Sequence, residues 1–263
     1  MKRFVFSDSH GGYKAMVQCL ERCGFNNDSD QLFFLGDVVD GWSQTKESIE
    51  LLLGIRHLVH LLGNHDQWAI KGYTSMLLLE SDQEEDVNEL YSWILQGGAA
   101  TIKSYGAGKN MPKAHLQFLQ NAKPYHVTED NILLVHAGFD PESAIENTNT
   151  DYLIWSRNFV NKYYTLYTKN QKSITPKPDI IVPGYKEIYL GHTPTINLNQ
   201  KQVLPLQMGN IILMDTGAAF SGCLSVMDLD TKEVWQSDQL MQLYPEEPGR
   251  NGMSWNELQE EKP

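Results

Sequence analysis

Short apolar runs punctuate this chain, and the strongest of them stop abruptly at Gly, Asp, Asn or His. Lys2–Ser7, Gln31–Leu35 and His57–Leu62 read as strands, and Gly12–Arg22 and Thr45–Leu53 between them as helices with apolar faces. Strands alternating with helices of about ten residues predict a parallel sheet whose carboxyl-end loops share one edge. Residues 67–122 change character. Glu84–Leu95 is an amphipathic helix with Val87, Leu90, Tyr91 and Ile94 at helical spacing. Gly97-Gly98 breaks it, Ala99–Tyr105 continues helically, and Pro112–Asn121 forms another short helix. This helical insertion is placed to serve as a lid or a substrate wall.

From residue 124 the strands crowd together: Tyr125–Thr128, Ile132–Val135, Ile188–Leu190, Ile211–Met214, Leu224–Leu229 and Glu233–Gln236. They predict a second, more antiparallel sheet. Tyr152–Tyr167 reads as one helix, and Lys172–Tyr185, with Pro176, Pro178 and Pro183, as a surface segment. No repeat or linker divides the chain. The expected organisation is one α/β domain over residues 1–244 with two facing sheets, followed by a polar, weakly ordered tail over 245–263.

Composition narrows the partners. There are 21 Lys and Arg against 33 Asp and Glu, a net charge of −12. Such a surface argues against broad nucleic-acid or acidic-membrane binding, whose affinity comes from basic residues. A phosphate-bearing protein, peptide or small molecule is still accepted where metals create a local positive field. The first apolar run stops at Ser7-Asp8, short of a secretory core or a membrane span. Three cysteines, an odd number, give no disulfide framework, so a cytoplasmic location is expected.

The chemistry lies where the runs stop. Asp8-Ser9-His10-Gly11, Gly36-Asp37-Val38-Val39-Asp40-Gly41, Gly63-Asn64-His65-Asp66, Val135-His136-Ala137-Gly138 and Gly191-His192-Thr193 follow in order. Apart from Asp66, they offer three carboxylates, one amide and four imidazoles, enough for two neighbouring divalent ions such as manganese, iron or zinc, manganese first. Asp8 and His10, two apart, face one pocket from an extended loop. Asp37 is placed to bridge two metals, Asn64 to act as a neutral ligand, and His136 and His192 to close the site from the second sheet. Without cations, Asp8, Asp37 and Asp40 together would repel one another. His65, one residue past Asn64, points at substrate as a proton donor, and Asp40 holds its other ring nitrogen. Arg157 in Trp155-Ser156-Arg157 offers a planar cation to phosphoryl oxygens.

Each element alone has a structural explanation; GNHD, for example, also reads as a Gly-Asn loop with Asp66 capping a helix. Five in order do not. The set resembles the calcineurin-like metallophosphoesterases and, within them, the bacterial phosphoprotein phosphatase branch, in SDSHG at 7–11, GDVVDG at 36–41, GNHD at 63–66, VHAG at 135–138 and GHT at 191–193. Trp93–Thr101, Leu153–Arg157 and Asp215–Ala218 resemble further elements of bacterial members.

The resemblance implies a sandwich of two mixed β-sheets flanked by helices. It also implies one metal on Asp8, His10 and Asp37, another on Asp37, Asn64, His136 and His192, His65 with Asp40 as donor pair, and Arg157 on phosphate. Gly41 departs from the protein-phosphatase branch, which has a phosphate-gripping Arg there, and VHAG is the spelling of diadenosine-tetraphosphatase relatives. The leading expectation is a phosphatase of phosphoserine, phosphothreonine or phosphotyrosine, acting by direct attack of a metal-bridging hydroxide. A dinucleoside-polyphosphate hydrolase is the alternative, and a non-catalytic metal-binding scaffold the remote one. Oligomeric state has no signature here. His57, His60, His115 and His126 read as structural or surface residues, Trp42 and Trp68 as groove or core, and Asp215 as lying outside the metal shell. The acidic run Glu80–Asp86 reads as a solvated helix start.

Overall fold

A computed structural model describes residues 1–78, 84–106, 111–173 and 180–260; the acidic run begins, and Pro176 and Pro178 fall, outside these. β1 (Arg3–Phe6), β2 (Gln31–Phe34) and β3 (Leu58–His60) form a parallel set, linked by helices α1 (Tyr13–Arg22) and α2 (Thr45–Leu53). Helices α3 (Asn64–Leu78), α4 (Glu84–Trp93), α5 (Ala99–Ser104) and α6 (Lys113–Gln120) follow; the last three fall where helices were expected, and α3 is an addition. The second sheet holds β4 (Tyr125–Val127), β5 (Ile132–Val135), β6 (Glu187–Leu190), β7 (Leu206–Met208) and β8 (Ile211–Leu213), in the order β4-β5-β6-β8-β7.

Each sheet is a mixed sheet of five strands flanked by helices, as expected. Alternate residues serve different layers. Val5, Phe33, Leu134, Tyr189 and Ile212 meet between the sheets, while Phe4, Phe6, Leu32 and Phe34 face α1 and α2. Leu133, Val135, Ile188 and Leu190 face the helices covering the other side. Covered on both faces, these strands read as continuous apolar runs rather than as alternation.

Three expectations need correction. The strands over Leu224–Leu229 and Glu233–Gln236, here β9 (Ser225–Asp228) and β10 (Val234–Gln236), do not enter the second sheet. β9 pairs antiparallel with β1, Phe4 opposite Asp228, giving the order β10-β9-β1-β2-β3. The second sheet is correspondingly less antiparallel, since β5–β6 and β6–β8 run parallel. Tyr152–Tyr167 is not one helix: α7 (Thr150–Trp155) ends at an extended Ser156, and α8 (Asn158–Gln171) begins after Arg157. Finally, the polar tail is docked over its described part. The Glu247 carboxylate accepts from the Ser43 amide (2.9 Å) and hydroxyl (2.6 Å), Trp255 packs on the core, and Trp255–Glu260 is helical. Polarity concealed this because the anchor is a hydrogen-bonded carboxylate rather than an apolar run.

Candidate active site

All five motif loops leave their strands at one edge and meet in a cavity of about 220 Å³, lined by Asp8, His10, Asp37, Asn64, His65, His192 and Arg157 among others. His136 lies buried beneath it. The backbone is bent to achieve this. Asp8, His10, Asp37, Asp40 and His192 all have φ between 48° and 69°, a left-handed conformation that non-glycine residues rarely adopt. Such residues cost on the order of 1 kcal/mol each and persist where surrounding structure fixes them. Two glycines let the loops approach: a Cβ on Gly63 would lie 2.0 Å from Asp37 Oδ1, and one on Gly191 2.2 Å from Asp8 Oδ2.

The four imidazoles share one logic, in which one ring nitrogen is occupied and the other faces inward. His10 Nδ1 donates to the Asp40 carbonyl (2.8 Å) and His136 Nδ1 to the Leu35 carbonyl (2.8 Å). His192 Nε2 donates to the Trp155 carbonyl (3.1 Å) and His65 Nδ1 to Asp40 Oδ2 (2.8 Å). A committed N–H fixes the tautomer and leaves a lone pair on the opposite nitrogen. His136 Nε2 and His192 Nδ1 then converge on Asn64 Oδ1 at 3.1 and 2.8 Å, with Asp37 Oδ2 3.4 Å from His136 Nε2. Four potential donor atoms converging in one buried pocket, each imidazole anchored through its other nitrogen, are a set that fits a divalent metal.

Two groups each gather three possible ligand atoms within 4.8 Å, His10–Asp37–His65 and Asp37–His136–His192, with Asp37 in both. The first admits His65, which the sequence reading kept off the metals. Asp8 enters the pocket separately, its carboxylate accepting the His192 amide at 3.0 and 3.1 Å.

Electrostatics follow from burial without metal. Burial, reinforced by Asp215, pushes Asp8 well above the carboxylate range, and burial takes Asp215 to about 6. For Asp37 burial acts in the same upward sense, but the imidazoles of His136, His65 and His10 outweigh it and hold the group well below its ordinary value. Burial would depress His136, yet Asp37 beside it raises it to about 9. Burial lowers His10 to about 3, and burial with the nearby His136 lowers His192 well below the usual range.

Sequence reasoning gave no role to Trp93 or Thr101, both of which hold Asp40. Asp40, fully buried, accepts from Trp93 Nε1 (3.0 and 2.9 Å) and Thr101 Oγ1 (2.7 Å) besides His65. Burial still leaves its pKa raised against these donors. Trp93 and Thr101 flank the Gly97-Gly98 kink, where Gln96 and Gly97 leave helical geometry, so the segment's spacing was the available signal. Asp215 was visible only as a strand-end carboxylate. Asp66 is buried within α3, and its carboxylate accepts the amides of Asp37 (2.8 Å), Val38 (3.0 Å) and Gly63 (3.0 Å). Trp42 is core, donating to the Ala218 carbonyl, whereas Trp68 lines the pocket edge-on to His65 and Trp155. Arg157 reaches the pocket from the α7–α8 break. His60 stacks on Phe118 and His115 bonds Tyr105, both structural uses.

A fold of two mixed sheets carrying this donor cluster defines a metal-dependent phosphoester hydrolase. The chain belongs to the calcineurin-like phosphoesterases, whose sequence profile matches residues 1–211. It is 24% identical to a symmetrical bis(5'-nucleosyl)-tetraphosphatase of Pseudomonas fluorescens, over 89% of this chain and 93% of that protein. A namesake from Xanthomonas axonopodis pv. citri is 28% identical over 89% and 84%. A solved structure provisionally assigned as a diadenosine tetraphosphatase matches with TM-score 0.60 at 14% identity, covering 89% of this chain and 92% of that one. A serine/threonine phosphatase of Saccharomyces cerevisiae matches at 0.57 and 13% identity, covering 90% and 80%. At those identities the two structures speak for the fold alone. No helix among the described residues is long and apolar enough to cross a membrane.

Proposed function

We propose that this chain hydrolyses a dinucleoside polyphosphate by direct displacement at phosphorus. The chemistry rests on the inward-facing lone pairs of Asp37, Asn64, His136 and His192. The substrate class rests on a second cavity of about 370 Å³ that shares Gln96 and Arg250 with the metal pocket. Its wall of Ile94, Leu95, Ala99 and Ala100, with Lys103 beside them, suits a nucleoside with an attached phosphate. The names of the curated relatives support the same reading.

Asp8, His10 and Asp37 would hold one divalent ion, and Asp37, Asn64, His136 and His192 the other, with manganese first. When bound, such ions polarise phosphoryl oxygens and lower the pKa of a water between them. Arg157 orients the phosphoryl group. His65, fixed by Asp40, delivers the proton to the leaving oxygen through Nε2. A reducing, cytoplasmic setting suits the three free thiols.

The phosphoprotein reading stands second, favoured by the open side of the adjoining groove, where Leu95 is 66% exposed and a peptide can lie. The scaffold reading is disfavoured by the 2.8 Å His65–Asp40 bond, which a site without turnover does not need. The test is manganese-supplemented hydrolysis of diadenosine tetraphosphate beside a phosphopeptide panel. Faster nucleotide turnover is expected; faster phosphopeptide turnover would overturn the substrate assignment and leave the chemistry intact.

His65→Asn should lower kcat by about a hundredfold on a poor leaving group, within the usual range for general acids. Its metal content should stay at that of the wild type. Loss of metal in this variant would make His65 a ligand and remove the proton-donor role.

A further inference from the structure

The docked C-terminal segment brings a cation to the active site. Trp42 stacks on Tyr244 with ring centres 5.2 Å apart, and Glu247 holds Ser43 through two hydrogen bonds. Gly249 lies so close to Trp42 that a Cβ there would come within 2.5 Å of its ring. Residues 244–249 therefore lie along the Gly41-Trp42-Ser43 loop, which begins directly after Asp40. The next residue, Arg250, has its amide fixed on the Ala219 carbonyl (3.0 Å) and its guanidinium 5.3 Å from the Phe220 ring centre.

Its side chain occupies the space beside Gly41. A Cβ on Gly41 would lie 3.3 Å from His10 Cβ and 3.6 Å from Arg250 Cγ, so the arginine stem fills ground that a larger residue at 41 would claim. Among the described residues no carboxylate pairs with Arg250. Its side chain makes one long hydrogen bond, 3.4 Å to Gln96 Oε1, and it lines the same cavity as Asp8, His10 and Asp37. A half-buried guanidinium facing a reaction pocket, within the field of Asp215 but with no carboxylate at ion-pair distance among the described residues, keeps its hydrogen-bond donors available for an anion.

We propose that Arg250 is a phosphate-binding residue, gripping the substrate's phosphoryl oxygens from the His10 side while Arg157 acts from the His192 side. Two guanidiniums on different walls restrict the orientation of a tetrahedral phosphoryl group more than one can. The segment that carries Arg250 also borders the second cavity, through Glu247, Pro248 and Gly249, so one element joins phosphate grip to the neighbouring groove. This inference rests on the reading of the pocket as a phosphoryl-transfer site.

The test uses the full chain loaded with manganese, with inorganic phosphate as probe. Wild type, Arg250→Ala, Arg250→Lys and Arg157→Ala are compared by calorimetric titration and by KM for diadenosine tetraphosphate and p-nitrophenyl phosphate. Arg250→Ala should weaken phosphate binding and raise KM by about tenfold, the loss of one charge-assisted grip. Arg250→Lys should restore part of that, and manganese content and melting temperature without phosphate should match wild type. Phosphate affinity within twofold of wild type in Arg250→Ala, with Arg157→Ala impaired, would overturn the inference and leave the site reading standing. A wild type that binds manganese but no phosphate would overturn both.

Discussion

Asp37→Asn should lower kcat by at least about a thousandfold and reduce bound metal from two ions per chain to one or none. Asp37 is 2% exposed and belongs to both donor groups, with Oδ2 3.4 Å from His136 Nε2 and 3.8 Å from His10 Nε2. An amide keeps the shape and the hydrogen bond from the His65 amide to Oδ1, which is 2.9 Å in the wild type. It removes the charge that both metals would share. Losing one neutral donor from a preorganised site costs about a hundred- to a thousandfold, so losing a shared carboxylate belongs at or beyond the upper end. Elemental analysis gives the metal count, steady-state kinetics the rate, and circular dichroism confirms the fold. Activity within tenfold of wild type with two metals retained would remove Asp37 from the bridging position.

The second large effect concerns stability. Asp66→Ala should destabilise the protein by about 4 kcal/mol. Hydrogen bonds to a charged partner contribute roughly 1.5–3 kcal/mol each, and a buried donor left unpaired costs comparably. Asp66 serves three backbone amides at once and is wholly buried. The bond to Gly63 tightens the first turn of α3, as a carboxylate there often does. The bonds to Asp37 and Val38 tie that helix to the neighbouring motif loop. At roughly 2–4 °C per kcal/mol for a chain of this size, the melting temperature should fall by about 8–16 °C. Asp66→Asn keeps one acceptor oxygen and should lose about half as much. A fall below about 3 °C in Asp66→Ala would show that other contacts hold the two loops together.

The legible part of this protein was the part written locally. Five apolar runs ended in donor residues, and a strand end is where a parallel sheet presents its loops. Asp8, His10, Asp37, Asn64, His65, His136 and His192 could therefore be gathered to one edge from sequence alone. What escaped notice depended on distant partners. Nothing near Ser225–Asp228 says that its neighbour is Phe4, because strand pairing over such a separation leaves no periodic trace. The break at Ser156 has no Gly or Pro to announce it; the chain turns there as Trp155 gives its carbonyl to His192. Trp93 and Thr101 act by holding Asp40, and a residue that works through another shows no chemistry of its own in the sequence.

The pairing of β1 with β9 also bears on synthesis. Until residue 228 has left the ribosome, β1 is the outermost strand of its sheet, and its unpaired backbone edge is open to any passing strand. The nascent chain is most vulnerable to misassembly in that interval. The segment bearing Arg250 comes later still, so the pocket gains its last wall only after the sheet that supports it has closed.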